Sequence, residues 1–460
     1  MGMQTEIPLA TTVSEQDISG REKLVNLTPR ISTGGKYQFN LMGTPGLTLF
    51  LTLPSGPMLQ TVVDKERAFA VTSSRFYEIF ANGTYSDLGA VSLTGTRVVM
   101  AGNGLQVVAV DGVRGYYYDT TSGTVSQITD AAFYPAATVT FQDQYLIFDR
   151  KGTGQFFISK LASVAFDPLD FATAEGQNDN LVAVLSDHRE LFLFGTTSIE
   201  VWFNSGDADF PFERNQGAFI EKGCAARYSV AKQDNTVFFL GSDLIVYKME
   251  GYAPNRISSH AVEETLKNVS LDDAFAYTYQ KDGQLFYVLT IPASNITWAY
   301  NISTNTWDIR SSYQDERHIG NNAIFFGGKT LIGDCRNGNI YAYDEKKYSE
   351  NGENLVRELI LPTVNVGREY SSVSSLEIDM TTGVGLVSGQ GSNPLAEMRF
   401  SKDGGKTWSN WKQANIGKIG EYLTRVKWNR LGTARQFIFH VRISDPIPID
   451  IGGAYVELES

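Results

Sequence analysis

Aromatic residues recur along the first three quarters of this chain at a nearly constant interval, and that interval restricts the fold more than any other feature. Tyr77, Tyr118, Phe157, Trp202, Tyr247, Tyr300 and Tyr343 stand in similar apolar runs, at steps of 41, 39, 45, 45, 53 and 43 residues. The mean step is about 44 residues, the length of one four-stranded propeller blade. The layout around two marks is shared: Tyr118-Asp119-Thr120-Thr121-Ser122-Gly123-Thr124-Val125 and Tyr300-Asn301-Ile302-Ser303-Thr304-Asn305-Thr306-Trp307 each end a strand in Tyr and turn through polar residues. An apolar residue then follows, seven positions after the Tyr. The marks predict an all-β chain built on a β-propeller of about seven blades, with six as the alternative.

Between the marks lie short β-branched and aromatic runs bounded by turn residues: 98–100, 107–110, 145–148, 191–194, 237–240 and 285–289. Asn-Gly or Asp-Gly starts at Asn82, Asn103, Asp111, Asp282, Asn337, Asn351 and Asp403. That dipeptide supplies the positive φ that tight hairpins need, so meanders are expected. One helix is predicted over 260–268, opened by Ser258 and Ser259 with Glu263 and Glu264 early in it. No βαβ alternation appears, which argues against parallel-sheet folds. The 43 Gly, 27 Phe and 22 Tyr of the 460 residues fit a turn-rich β protein.

After Glu350-Asn351-Gly352 the period stops. From there 375–380, 396–400, 425–428, 437–443 and 454–458 alternate apolar with polar residues, as strands of a β-sandwich do. The expected organisation is an N-terminal arm and ring-closing segment over 1–60, a β-propeller over 61–352 and a C-terminal β-sandwich domain over 353–460. Charge changes at the same place. Residues 1–352 hold 27 basic and 39 acidic residues, whereas 353–460 hold 12 of each. The net charge of −12 argues against a surface that binds nucleic acid all over.

Two cysteines, Cys224 and Cys335, indicate no disulfide framework. Residues 1–23 are polar and lack the apolar core of a secretory signal, and Glu6 stands where myristoylation wants Ser or Thr. The apolar run 47–53 is too short to span a bilayer, so no membrane anchor is expected. The Asn-x-Ser/Thr sequons at Asn26, Asn82, Asn268, Asn295 and Asn301 are read as ordinary turn residues.

Motifs that could carry chemistry are few. Ser401-Lys402-Asp403-Gly404-Gly405-Lys406-Thr407-Trp408 matches the Asp-box and resembles the repeats of sialidases and related propellers. Its content is a hairpin turn held by Ser and Asp oxygens, and a single copy stands here, outside the periodic region. The alternative function it raises is a propeller glycosidase acting on host surface polysaccharide. His188, His260, His318 and His440 lie in no nucleophile or metal motif. Cys224 reads as a small buried residue despite Lys222 nearby. Asp167 with Asp170, Asp207 with Asp209 and Asp272 with Asp273 are carboxylate pairs without EF-hand spacing, better read as solvated loop residues. No catalytic residue, cofactor-binding residue, cofactor or metal ligand is assigned. Arg399 to Arg442 carries ten basic residues against Asp403 and Glu421, interleaved with Trp408, Trp411, Tyr422 and Trp428. Such a stretch could track phosphates, but the alternation in Arg425-Val426-Lys427-Trp428 favours an ordinary strand face or an acidic protein partner.

The middle of the chain carries longer signatures. Phe166-Asp167-Pro168-Leu169-Asp170-Phe171-Ala172-Thr173-Ala174-Glu175, the runs 179–193 and 217–226, Glu200-Val201-Trp202-Phe203 and Asp209-Phe210-Pro211-Phe212-Glu213-Arg214 resemble the packaged-DNA stabilisation proteins of short-tailed bacteriophages. The likeness continues through 229–232 and 256–258 to 437–451, and covers roughly residues 40–460. The resemblance implies a non-enzymatic structural protein of the virion tail, made in the bacterial host cytoplasm. It implies a hub or nozzle that assembles as a homo-oligomeric, hexameric ring below the portal-adaptor (head-to-tail) protein and retains packaged DNA. It further implies part of the ejection channel for genomic dsDNA, and docking of tail needle or plug, tail fibre or tailspike proteins. A charge of −12 per copy, about −72 for six, suits a channel that DNA passes without sticking.

Overall fold

The computed structural model describes residues 3–9, 22–31, 34, 36–95, 97–313, 317–365 and 369–459. Residues 10–21 of the expected N-terminal arm lie outside the described residues. Strands are the dominant element among these residues. The periodic region is a succession of four-stranded antiparallel meanders, the first being Met58–Asp64, Arg67–Thr72, Arg75–Ile79 and Tyr85–Ala90. Every aromatic mark falls on the third strand of its sheet. Tyr77 is in Arg75–Ile79, Tyr118 in Gly115–Asp119, Phe157 in Gln155–Ser159 and Trp202 in Ile199–Asn204. Tyr247 is in Val246–Glu250, Tyr300 in Ile296–Asn301 and Tyr343 in Asn339–Asp344.

The polar turn after a mark works as its composition suggests. Asp119 Oδ1 accepts from the Thr121 and Ser122 amides at 2.8 and 2.9 Å, Asn301 Oδ1 from Ser303 at 3.0 Å and Asp344 Oδ1 from Lys346 at 2.9 Å. The side-chain oxygen substitutes for a backbone carbonyl and fixes the reversal. The one long step, from Tyr247 to Tyr300, is explained by an insertion. The helix His260–Leu266 lies between the strands Ala253–Arg256 and Phe275–Lys281, capped by the Ser259 hydroxyl, which accepts from the Val262 amide.

Apolar side chains fill each gap between successive sheets. Phe69 and Phe76 meet Val107 and Tyr118; Val108 and Val110 meet Leu146 and Phe148; Ile147 and Phe156 meet Leu191 and Trp202. Phe192 and Phe194 then meet Val237 and Phe239, and Phe286 and Val288 meet Ile332 and Tyr341. Leu331 and Ile340 of the last sheet return to Ala68, Tyr77 and Ile79 of the first. The ring is therefore closed by the same burial that separates its blades, which removes sheet faces from water. The last sheet contributes Gly320–Phe326, Lys329–Asp334 and Asn339–Asp344, and its fourth strand is Gly46–Thr52 from the start of the chain. Gly338 permits the turn beside this joint, since a Cβ there would meet the Leu53 carbonyl oxygen at 2.4 Å.

Residues 1–60, expected as an arm and ring-closing segment, are divided in the described structure. Gly46–Thr52 closes the ring, but Met3–Ile7, Leu27–Ile31 and Phe39–Gly43 belong to a sandwich sheet with Ser371–Met380, Val426–Ala434 and Asp450–Glu459. Lys23–Val25 does something else again. It pairs in parallel with Thr306–Arg310 of a propeller sheet and antiparallel with Arg357–Ile360 of the sandwich. One continuous ten-stranded sheet results, running from Phe275–Lys281 through Lys23–Val25 to Gln436–Ile443, Leu395–Ser401 and Lys412–Asn415. Short N-terminal strands carry weak patterns because partners on other parts of the chain, rather than their own periodicity, decide their placement.

Candidate functional site

The four histidines are scattered. His188 lies exposed in a hairpin turn with Nδ1 2.8 Å from Asp187, and His260 opens the helix, exposed, 3.6 Å from Glu263. His318 is buried, accepting the Gly320 amide at Nδ1 (3.0 Å), with Nε2 3.4 Å from Glu350 Oε1. His440 is buried in the sandwich, where Nδ1 accepts from Arg399 Nε at 3.1 Å and Nε2 stands 3.3 Å from Glu358. Burial pushes the Glu358 carboxyl up, but the His440 contact and nearby Lys23 and Arg442 outweigh it and hold the group below its ordinary value. Cys224 is fully buried and donates to the Ala226 carbonyl, and burial pushes its thiol up to about 12. That thiol is a packing group, because nucleophilicity needs the thiolate.

The carboxylate pairs separate likewise. Asp167 and Asp170 share Lys160 at 3.1 and 2.8 Å, Asp207 accepts the Asp209 amide at 2.8 Å, and Asp272 accepts the Ser270 hydroxyl at 3.1 Å. Among the described residues no three His, Cys, Asp or Glu side chains are placed to hold a metal ion. The Asp-box is a hydrogen-bonded turn. Ser401 Oγ donates to Asp403 Oδ1 at 2.7 Å and accepts the Gly405 amide at 2.8 Å, while Asp403 Oδ1 accepts the Lys406 and Thr407 amides. These bonds, with the Thr407 hydroxyl first among them, hold the Asp403 carboxyl well below the usual range. Trp408 stacks on Arg399, whose guanidinium lies 4.8 Å from the ring centroid, and meets His440 edge-on.

The basic stretch divides by the face each residue takes. Val426 and Trp428 point into the core, and the alternate Arg425 and Lys427 pair with Glu377 and Glu457 on the neighbouring strands. Lys402 and Lys412 donate to the Thr433 and Arg430 carbonyls at 3.2 and 3.3 Å. Arg399 and Arg442 sandwich Trp411, at 4.6 and 4.3 Å, and Arg442 also holds Glu397 at 2.6 Å. Lys406, Lys418 and Arg430 remain exposed. The stretch is thus mainly a set of intrachain pairs and cation–π stacks rather than a continuous phosphate track.

Sequence reasoning missed the joint between propeller and sandwich. Asn26, read as a sequon in a turn, is 1% exposed with φ 52°. Its amide donates to the Ile309 carbonyl, Nδ2 to Ser311 and Val356 carbonyls at 2.9 and 2.8 Å, and Oδ1 accepts the Ser311 amide. Beside it Arg310 Nε meets Asp308 Oδ2 at 2.7 Å, both buried, with Thr28 bridging the pair. Burial raises the Asp308 carboxyl to about 6, against the attraction of Arg310. Among the described residues Arg357, 1% exposed, reaches the Asp445 and Thr44 carbonyls at 3.5 Å, and burial lowers it to about 10. Asn301 is buried as well, whereas Asn82, Asn268 and Asn295 are exposed turn residues.

On the propeller axis the opening strands of the sheets leave a cavity of about 270 Å³, lined by Gln60, Arg97, Val184, Arg227, Phe275 and Asn322 among others. B-form DNA, whose major groove alone is about 12 Å wide, does not fit such a space. No helix among the described residues is long and apolar enough to cross a membrane.

Residues 6–348 match the family described as "Bacteriophage P22 Gp10, beta-propeller", and residues 356–459 match "Bacteriophage P22 Gp10, beta-sandwich". The chain belongs to the bacteriophage P22 Gp10 family. It is accordingly a phage structural tail protein and a virion component, all-β, with a propeller followed by a sandwich. No curated protein matches the chain. Among solved structures it is similar to the computationally designed Ika8 protein, at 14% identity and TM-score 0.40, over 70% of this chain and 99% of that one. It is also similar to BamB from Moraxella catarrhalis, at 10% identity and TM-score 0.38, over 74% and 97% of the two chains. A third is PorZ of Porphyromonas gingivalis, at 12% identity and TM-score 0.39, over 81% and 46%.

Proposed function

We propose that this Gp10-family chain is the hub or nozzle of a short phage tail, a ring of six copies below the portal-adaptor protein. There it retains packaged DNA, forms part of the ejection channel and docks needle, fibre or tailspike proteins. The observation that carries the reading is the family match along both parts of the chain, 6–348 and 356–459. The geometry supports it in two ways. The ten-stranded sheet joins propeller and sandwich through backbone hydrogen bonds, which suits a subunit that transmits load in an assembly. The axial cavity is far too small for a duplex, so in this reading the DNA path runs between copies and not through one propeller. The described sheets support seven blades within each propeller. The acidic excess of 1–352 would line the path, repelling phosphate and keeping the genome free to slide. The chain would be made in the bacterial host cytoplasm and act without catalysis.

Electron microscopy of phage particles, with and without the gene, tests this. The expected result is a ring of tail density that disappears with the gene, in particles that have lost their DNA. Gene-deficient particles that keep their genome would overturn the role in retention, and an unchanged tail would overturn the assignment as hub.

A further inference from the structure

The axial cavity gathers cations without carboxylates. Arg97, Arg227 and Lys232 line it, no acidic residue does, and none of the three forms an ion pair among the described residues. Lys232 donates to the Ser186 carbonyl at 2.9 Å and Arg227 Nε to the Val182 carbonyl at 2.7 Å. Arg97 is left with less. Its guanidinium lies flat on the Phe275 ring, 3.2 Å from the centroid, and its Nη1 reaches only the Asn321 carbonyl at 3.5 Å. Burial dominates and pushes Arg97 down to about 9; Arg317 adds to this by repulsion, while Cys335, Asp273 and Tyr228 oppose it. Tyr228 feels both Arg97 and Arg227. Asp149, the carboxylate felt by Arg227, has Oδ1 taken by the Ala137 and Thr138 amides and the Thr138 hydroxyl, and its buried Oδ2 has no hydrogen-bond partner among the described residues. A further donor faces no acceptor: Asn322 lines the same cavity, is 4% exposed, holds the Thr61 hydroxyl with Oδ1 at 2.9 Å, and leaves Nδ2 without a partner.

A half-buried guanidinium with one long hydrogen bond, beside a buried amide without an acceptor, is under-satisfied, and an anion supplying several acceptor oxygens would satisfy both. We propose that the axial cavity of the propeller is a binding site for a small tetrahedral oxyanion, phosphate or sulfate, held by Arg97 and Arg227 with the Asn322 amide. The guanidinium forks match oxyanion geometry in a way an ammonium does not. The volume suits a free anion and not a polymer.

Calorimetric titration of the full chain with inorganic phosphate in a chloride buffer of constant ionic strength tests the site. Saturable binding of one phosphate per chain is expected, weakened about tenfold or more in Arg97→Gln and less in Arg97→Lys, which keeps charge but loses the fork. Arg425→Gln, on the far sandwich face, should bind as the unchanged chain does. Absence of saturable binding, or Arg97→Gln binding phosphate normally, would overturn the site. Should Arg97→Gln not fold, the unchanged chain still decides: its thermal midpoint should rise with phosphate or sulfate and stay put with acetate at equal ionic strength. An equal rise with acetate would overturn the tetrahedral-oxyanion assignment.

Discussion

Two strands in equivalent positions of neighbouring sheets show how differently one architecture can treat the same place. Ala253–Arg256 and Thr306–Arg310 are both fourth strands of a propeller blade. The first lies mostly exposed, and no residue of Tyr85–Ala90 or Thr124–Gln127 elsewhere in the ring is buried, whereas all five residues of the second are buried. The difference is Lys23–Val25, which pairs with Thr306–Arg310 and carries the sheet on into the sandwich. An outer strand is normally an edge to be kept polar. Here polar residues suited to an edge, Asp308 and Arg310, have been enclosed and must satisfy one another.

The comparison can be broken first at its charged centre. Asp308→Ala leaves Arg310 buried without its partner and should cost about 3–5 kcal/mol, read as a shift in denaturant midpoint. Acidity sharpens the same point. Because the Asp308 carboxyl sits near 6 when folded against an ordinary 3.8, the folded state holds the proton more tightly. Stability from this group therefore falls as pH rises from about 4 to about 6, by up to about 3 kcal/mol. Asp308→Asn should abolish that part of the slope; an unchanged pH profile would show that the carboxyl is not desolvated. Asn26→Ala removes the bonds that bind the two parts and places Ala at a positive φ, for an expected loss of about 2–3 kcal/mol. Limited proteolysis between propeller and sandwich should accelerate with it. In the Asp-box turn, Asp403→Ala removes the acceptor that holds the reversal and should lower the thermal midpoint less than Asn26→Ala does, leaving the propeller intact. Smallest is the exposed counterpart: Asn255→Ala, on Ala253–Arg256, should change stability by no more than about 0.5 kcal/mol. A large effect there would mean that this edge, too, is covered.

Much of the propeller was legible because burial between blades repeats. Each third strand presents its aromatic to the same kind of gap, so Tyr77, Tyr118, Phe157, Trp202, Tyr247, Tyr300 and Tyr343 betray the period even where the helix His260–Leu266 stretches one step to 53 residues. The Asp-box turn and the outward Arg425 and Lys427 were legible too, since local hydrogen bonding and strand alternation suffice to place them. The joint was not. Thr306-Trp307-Asp308-Ile309-Arg310 alternates like a half-exposed strand, and Asn26 looks like a turn residue. The axial cavity was equally hidden, because Arg97 and Arg227 lie on segments leading into two different sheets, Asn322 on a strand of a third, and the three follow no common spacing.

By itself, then, the sequence determined the repeated unit, its length and the succession of a propeller by a sandwich, all consequences of hydrophobic periodicity acting within one strand or hairpin. Tertiary structure alone decided which edge is covered, where N-terminal strands pair and which charges meet in the dark. Those outcomes depend on contacts hundreds of residues apart, such as Thr28 with Asp308 and Asn26 with Val356. Burial of a polar group is a property of what covers it, and the covering strand lies at the other end of the chain.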